Sequence, residues 1–183
     1  MARPPQKRLT YDDYAAFPDD GIRRELIHGE VYELTPAPTV RHQRILGRLH
    51  VALYSWVSAS GRGEVLVSPV DVLLSRHDVV QPDIVYVDDS GSGTLTEANI
   101  QGVPTLAIEI VSDPRHDRVR KLNLYANAGI PVYVIVDPDD DRVEGYRHTG
   151  RGYGPPAIFR PGDVLTLNQP PGFSIDVAEL LRR

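Results

Sequence analysis

Residues 105–138 read TLAIEIVSDPRHDRVRKLNLYANAGIPVYVIVDP, and this stretch decides the fold. TLAIEIV is apolar almost throughout apart from Glu109, the pattern of a strand covered on both faces. Pro114 opens a helical stretch, RHDRVRKLNLYANA, which Gly129 closes, with Pro131 just beyond. VYVIVDP then reads as another buried strand. Upstream, EVLVS, DVLLS and DIVYVD are rich in β-branched residues and are punctuated by Pro69, His77-Asp78 and Gln81-Pro82, which predicts strands. Ahead of them, no proline interrupts Val40 to Ser58, and Ile45, Leu49, Ala52, Leu53 and Trp56 recur at steps of three and four, so a long helix is expected. The order helix, strands, strand, helix, strand makes an α/β protein rather than a bundle or a barrel.

The flanks are smaller. Thr10 and Asp13 have the spacing of a capping box, which predicts a short helix near 11–16. RRELI and EVYEL flank His28-Gly29, a two-residue connection suited to a hairpin over 23–34. A loop containing DDSGSG follows DIVYVD. From 142 to 183 two or three short edge strands are expected, with a closing helix at 176–182 capped by Asp176 and Glu179. No internal repeat occurs.

The 183 residues suit a single domain over 1–183, and 41% hydrophobic with 25% charged residues is a globular balance. No apolar run approaches the roughly 18 residues of a membrane span, and no signal-type stretch follows the basic start, so a soluble cytoplasmic protein is expected. With no cysteine, thiol nucleophiles, disulfides and Cys-ligated metals are excluded. A net charge of −5 argues against a basic coat that binds nucleic acid indiscriminately. A local basic groove remains open.

Two acids stand out. If DIVYVD and TLAIEIV form an antiparallel hairpin with Asp88 opposite Pro104, partner numbers sum to 192, and Asp83 then faces Glu109. Directly opposed side chains lie about 5 Å apart, where like charges repel, so something positive belongs between them. A hard divalent cation, Mg²⁺ or Mn²⁺, fits: it accepts one or two carboxylates and leaves positions for water and phosphate oxygens. The alternative is a turn residue and a solvent-facing strand acid, but a charge flanked by Ile108 and Ile110 is costly to bury alone.

Asp117, Lys121 and Tyr125 recur every four residues and so share a helix face, either as a plain acid–lysine pair or with Lys121 reaching the metal site to steady charge on a phosphoryl transition state. His42 lies at the centre of the apolar arc of the long helix, as a core histidine or a contact to metal-bound water or phosphate. Asp71 is a further candidate for the acidic cluster, or an exposed strand residue. Arg41, Arg44 and Arg48 share one side of that helix, and no acid occurs between Glu33 and Glu64, so this stripe either binds phosphates or is a solvated face.

The ordered combination RELIHGEVYELTP, HQRILGRL, PVDV, PDIVYV and EIVSDPRHDRVRKLNLYANAGIPVYVIVDP resembles the Uma-two family within the PD-(D/E)XK nuclease superfamily, over about 22–180. The resemblance implies a restriction-endonuclease-like αβββαβ core with an N-terminal hairpin and C-terminal edge strands. It also implies Mg²⁺-dependent hydrolysis of phosphodiester bonds in DNA, with Asp83 and Glu109 as the motif's two acids. Val111 stands where the motif's lysine is expected, and the resemblance puts that lysine on the following helix, at Lys121. Val134 occupies a position where tryptophan is common. Glu25 and Glu30 match family positions on the hairpin, as supports for the site or as turn residues. A homodimer is expected by analogy, because cutting both strands takes two sites.

Other chemistries are disfavoured. GSGTLT and GRGYG lack the context of phosphate-binding loops, Ser112 with His116 has no third triad member, and no H-E-x-x-H occurs. Two other readings stay open at this point. Val111 and the acidic charge suit a catalytically inactive nuclease-fold module that binds nucleic acid in a mobile-element or defence system. The Pro- and Gly-rich 142–172 region suits a protein-interaction subunit that pairs through an edge strand.

Overall fold

Thr10 closes a capping box: its hydroxyl accepts from the Asp13 amide, while Asp13 accepts from the Thr10 amide at 2.9 Å, starting α1 (Tyr11–Ala15). The computed structural model describes residues 8–34 and 37–183. Strands β1 (Arg24–Ile27) and β2 (Glu30–Glu33) form the expected hairpin, paired from Arg24↔Glu33 to Ile27↔Glu30. Its turn needs positive φ at both central residues, and His28 (φ 55°) and Gly29 (φ 78°) supply it. Any Cβ on Gly29 would stand 2.7 Å from the Arg8 Cβ, so no other residue fits there.

Helix α2 (Val40–Ser60) turns its Ile45, Leu49 and Leu53 stripe, fully buried, onto a central sheet. The sheet begins with β3 (Glu64–Val67), after which the chain leaves it. Strands β4 (Val72–Ser75) and β5 (Asp78–Val80) join the N-terminal hairpin instead, and the chain returns at β6 (Ile84–Val87). Two short strands, β7 (Thr94–Leu95) and β8 (Ile100–Gln101), then complete a second sheet of order β2-β1-β5-β4-β8-β7. In the sequence this region reads as a loop, because two-residue strands are too short to show a period of two.

β9 (Leu106–Ile110) pairs antiparallel with β6. The helical crossover follows, as a π-helical turn over His116–Lys121 continuing into α3 (Leu122–Ala128). β10 (Val132–Asp137) then lies parallel to β9. β11 (Arg142–Arg147) and β12 (Ala157–Phe159) extend the sheet to the order β12-β11-β10-β9-β6-β3. β13 (Val164–Thr166) and β14 (Ser174–Asp176) form a separate ribbon before α4 (Val177–Leu181), which Asp176 caps by accepting from the Glu179 amide. The expectation of two or three edge strands is thus corrected, since β11 lies inside the sheet and four strands are present.

Read without its insertions, the order α2-β3-β6-β9-α3-β10 is the αβββαβ core. Ile84, Tyr86, Leu106, Ile108, Val134 and Val136 face α2 and α4. Val85, Ala107, Tyr133 and Ile135 face α3 and the second sheet. No helix among the described residues is long and apolar enough to cross a membrane.

Candidate active site

The β6–β9 ladder runs Ile84↔Ile108, Val85↔Ala107 and Tyr86↔Leu106, so partner numbers sum to 192 as the sequence register predicts. One step further, residue 83 stands opposite residue 109. There the backbone ladder stops, and the Asp83 carboxylate takes over: Oδ2 accepts from the Ile110 amide at 2.8 Å. His42 Nε2 lies 3.1 Å from the same oxygen. The other ring nitrogen of His42, Nδ1, is buried without a partner. A bare lone pair is cheaper than a bare buried N–H, so we assign the proton to Nε2, which donates to Asp83. Two donors therefore fix one carboxylate oxygen.

Glu109, 3% exposed, accepts from Lys121 Nζ and from the Tyr125 hydroxyl, both at 2.9 Å on Oε1. Lys121 also lies 3.0 Å from Glu25 Oε1, which accepts from the Gln81 amide at 2.7 Å. The second Glu25 oxygen meets His116 Nε2 at 2.5 Å. The π-helical turn explains this clamp. In a π-helix residues five apart bond through the backbone and ride over one another, so His116 and Lys121 grip the two oxygens of one carboxylate. An α-helical turn would splay them.

The electrostatics follow from three carboxylates, Glu109, Glu25 and Asp117, around one ammonium. Burial alone would push the Lys121 pKa down, but Glu109, Glu25 and Asp117 outweigh it and hold it above the ordinary lysine value. Lys121 is therefore held in its charged form. Burial pushes Glu25 up, yet Lys121, His116 and the Gln81 amide bring it down to about 2. Glu109 is pushed well above the usual carboxylate range by burial, opposed by Lys121 and reinforced by Asp83, Asp117 and Glu25. The centre is short of positive charge.

These groups open onto a cavity of about 310 Å³, lined by Asp83, Glu109, His42, His116, Asp117 and Lys121, with Arg23, Tyr32 and Arg120 also on its wall. Asp117 spends its Oδ2 on the amides of Ser112 (3.1 Å) and Asp113 (3.2 Å), tying the end of β9 to the π-helical turn. Among the described residues no three His, Asp or Glu side chains form a cage able to hold a metal ion by themselves. The donor set instead suits a cation that takes two carboxylates, Asp83 and Glu109, and completes its shell with water and phosphate oxygens, and the surplus negative charge favours one.

Several expected residues lie elsewhere. Asp71 does not line the cavity; its Oδ1 accepts from Gln81 Nε2 (2.9 Å) and the Tyr14 hydroxyl (3.2 Å), so it supports Gln81 at one remove from the site. Glu30 is exposed and accepts from the Tyr32 hydroxyl at 2.8 Å. None of Arg41, Arg44 and Arg48 lines the cavity. Arg41 pairs with Asp141 at 2.5 Å, and Arg48 donates to the carbonyls of Leu180 (3.0 Å) and Arg182 (2.5 Å). Sequence reasoning weighed His116 only as a partner for Ser112. Its spacing of five from Lys121 was the available signal, legible only if the helix is π-wound.

The profile of the Uma2 family, described as "Putative restriction endonuclease", matches residues 11–178. A similar solved structure is that of "a putative nuclease belonging to DUF820" from Anabaena variabilis, with a TM-score of 0.78 and 18% identity, covering 94% of this chain and 97% of that one. At that identity the likeness speaks to the fold. A comparison with curated proteins gives no match. With the profile spanning nearly the whole chain, and the α/β core shared with a solved relative, this chain belongs to the Uma2 family.

Proposed function

We propose that the protein is a divalent-metal-dependent nuclease that hydrolyses phosphodiester bonds in DNA. The observation that carries this reading is the convergence of Asp83, Glu109 and Lys121 on one cavity, from a strand end, a neighbouring strand and a π-helical turn. Asp83 and Glu109 would hold Mg²⁺ or Mn²⁺, which when bound polarises the scissile phosphate and lowers the pKa of a bound water. Hydrolysis consumes one water per bond and leaves a phosphate monoester and a free hydroxyl.

The chain's own residues supply position and charge. His42 and the Ile110 amide hold one oxygen of Asp83, which aims the carboxylate without a search through rotamers. Lys121, kept protonated by three acids, stabilises negative charge that develops on the phosphate. Its place on the helix makes Val111 no obstacle, because the ammonium reaches Glu109 from α3's side of the sheet. Glu25 and His116 hold Lys121 from behind.

Purified protein incubated with Mn²⁺ or Mg²⁺ nicks supercoiled plasmid DNA, and chelation stops it. Asp83→Asn and Glu109→Gln each lower the rate by at least about 100-fold, the scale of losing a group that stabilises transition-state charge. Equal rates in wild type and Asp83→Asn overturn the assignment.

A further inference from the structure

The cavity has an acidic floor, but two guanidinium groups stand on its wall. Arg23 comes from the segment entering β1 and Arg120 from the π-helical turn. Neither is within ion-pair distance of a described carboxylate, although five acids, Glu33, Asp83, Glu109, Asp113 and Asp117, line the same space and Glu25 backs it. Elsewhere in the molecule the guanidinium groups near acids are taken: Arg118 bridges Asp137 and Glu144, and Arg142 meets Glu144 at 2.9 Å.

What holds the two arginines leaves their charge unspent. Arg120 lies over the face of Tyr32, 4.6 Å from the ring centroid. Tyr32 is itself packed against His116, with ring centroids 5.7 Å apart. The contact holds the guanidinium at the ring, and one of its donors is directed at the Tyr32 hydroxyl, which leaves the others available. Arg23 donates only its Nε, to Gln81 Oε1 at 3.0 Å, which orients the fork and leaves its terminal nitrogens for another acceptor. Gln81 is the residue whose amide is fixed on Glu25, so this arginine is tied to the same framework as the acids.

From this arrangement we infer that Arg23 and Arg120 form a backbone-phosphate subsite that grips the phosphates flanking the one at Asp83 and Glu109. The inference rests on the nuclease reading and deepens it: the ligand is a polyanion with phosphates on both sides of the reacting one. Fork-shaped donors match phosphate oxygens in pairs. Phosphate contacts set register and orientation without reading sequence, so binding at this subsite is independent of base sequence. The subsite takes the role that sequence reasoning assigned to Arg41, Arg44 and Arg48.

The test is binding, measured apart from cleavage. In the Asp83→Asn background and without divalent metal, the affinity for a fluorescent DNA duplex and for its single strand is followed by anisotropy across a salt series. Arg23→Ala and Arg120→Ala each weaken binding for every sequence tried and reduce the slope of log affinity against log salt by about 1. Arg120→Lys keeps the slope while losing part of the affinity, and Arg44→Ala changes neither. Thermal melts confirm that the variants are folded. Unchanged slopes in both alanine variants, or no binding to either DNA, overturn the subsite. Cleavage of plasmid by the wild type with Mn²⁺ judges the nuclease reading separately: cleavage with unchanged slopes removes the subsite alone, and no cleavage removes the reading beneath it.

Discussion

Removing the His42 ring leaves the Asp83 carboxylate held by the Ile110 amide alone. Outer partners of metal ligands typically contribute 10- to 100-fold in affinity, so His42→Ala weakens Mn²⁺ binding by about that factor in calorimetry, and His42→Gln, which keeps a donor, restores part of it. Unchanged affinity in the alanine variant contradicts the positioning role. Glu25 offers a test through pH. Its folded pKa of about 2 lies below the ordinary 4.5, so its ion pairs contribute stability that is present above about pH 4.5 and lost as pH falls toward 2. Acid unfolding followed by circular dichroism is steep over that window in the wild type and flatter in Glu25→Gln; parallel profiles contradict it. At this scale Asp83 and Glu109 were legible in the sequence because strand register is arithmetic: an antiparallel hairpin with Asp88 opposite Pro104 makes partner numbers sum to 192. Spacing put Lys121 on one face with Asp117 and left its role open, and the family resemblance pointed it to the site. His116, Arg23 and Arg120 were not, because their roles depend on what stands opposite them rather than on their neighbours in the chain.

The helical crossover carries its function in its winding. His116 and Lys121 stand five apart, which an α-helix would turn about 140° from one another, so the wider π-helical winding is what brings both onto the Glu25 carboxylate. The turn entering β3 is equally demanding. Gly63 has φ 68°, and a Cβ there would stand 2.2 Å from the Val87 carbonyl oxygen across the β3–β6 pair. Gly63→Ala therefore lowers stability by more than about 2 kcal/mol, combining left-handed strain with a backbone clash, as denaturant unfolding reads directly. The sequence marked the beginnings and ends of these elements well, through Pro114, Gly129 and the His28-Gly29 turn. It said nothing of winding within a helix, because the π-turn answers to a carboxylate on a distant strand.

Across the whole molecule, near-continuous apolar runs made the central sheet readable, while the second sheet was visible only as its hairpin and the DVLLS strand. Its remaining strands have two to four residues and are drawn together by contacts far apart in sequence, as β4 with β8 shows by pairing Val72 with Ile100. That second sheet matters to the site, since it presents Glu25 to the π-helical turn. The assembled centre also costs stability: the buried Glu109 is crowded by Asp83, Asp117 and Glu25. The Glu109 carboxyl, pushed well above its ordinary range, lowers stability at neutral pH, and Glu109→Gln keeps an acceptor for Lys121 without that cost, so in metal-free buffer its melting temperature rises by a few degrees while activity disappears. A lower melting temperature contradicts the crowding. The central claim is that Asp83 and Glu109 share one cation, and anomalous scattering from crystals soaked in Mn²⁺ tests it most directly. The account predicts a peak at roughly 2.0–2.6 Å from an oxygen of each carboxylate. An ordered Mn²⁺ bound elsewhere, with no density between these two side chains, contradicts it.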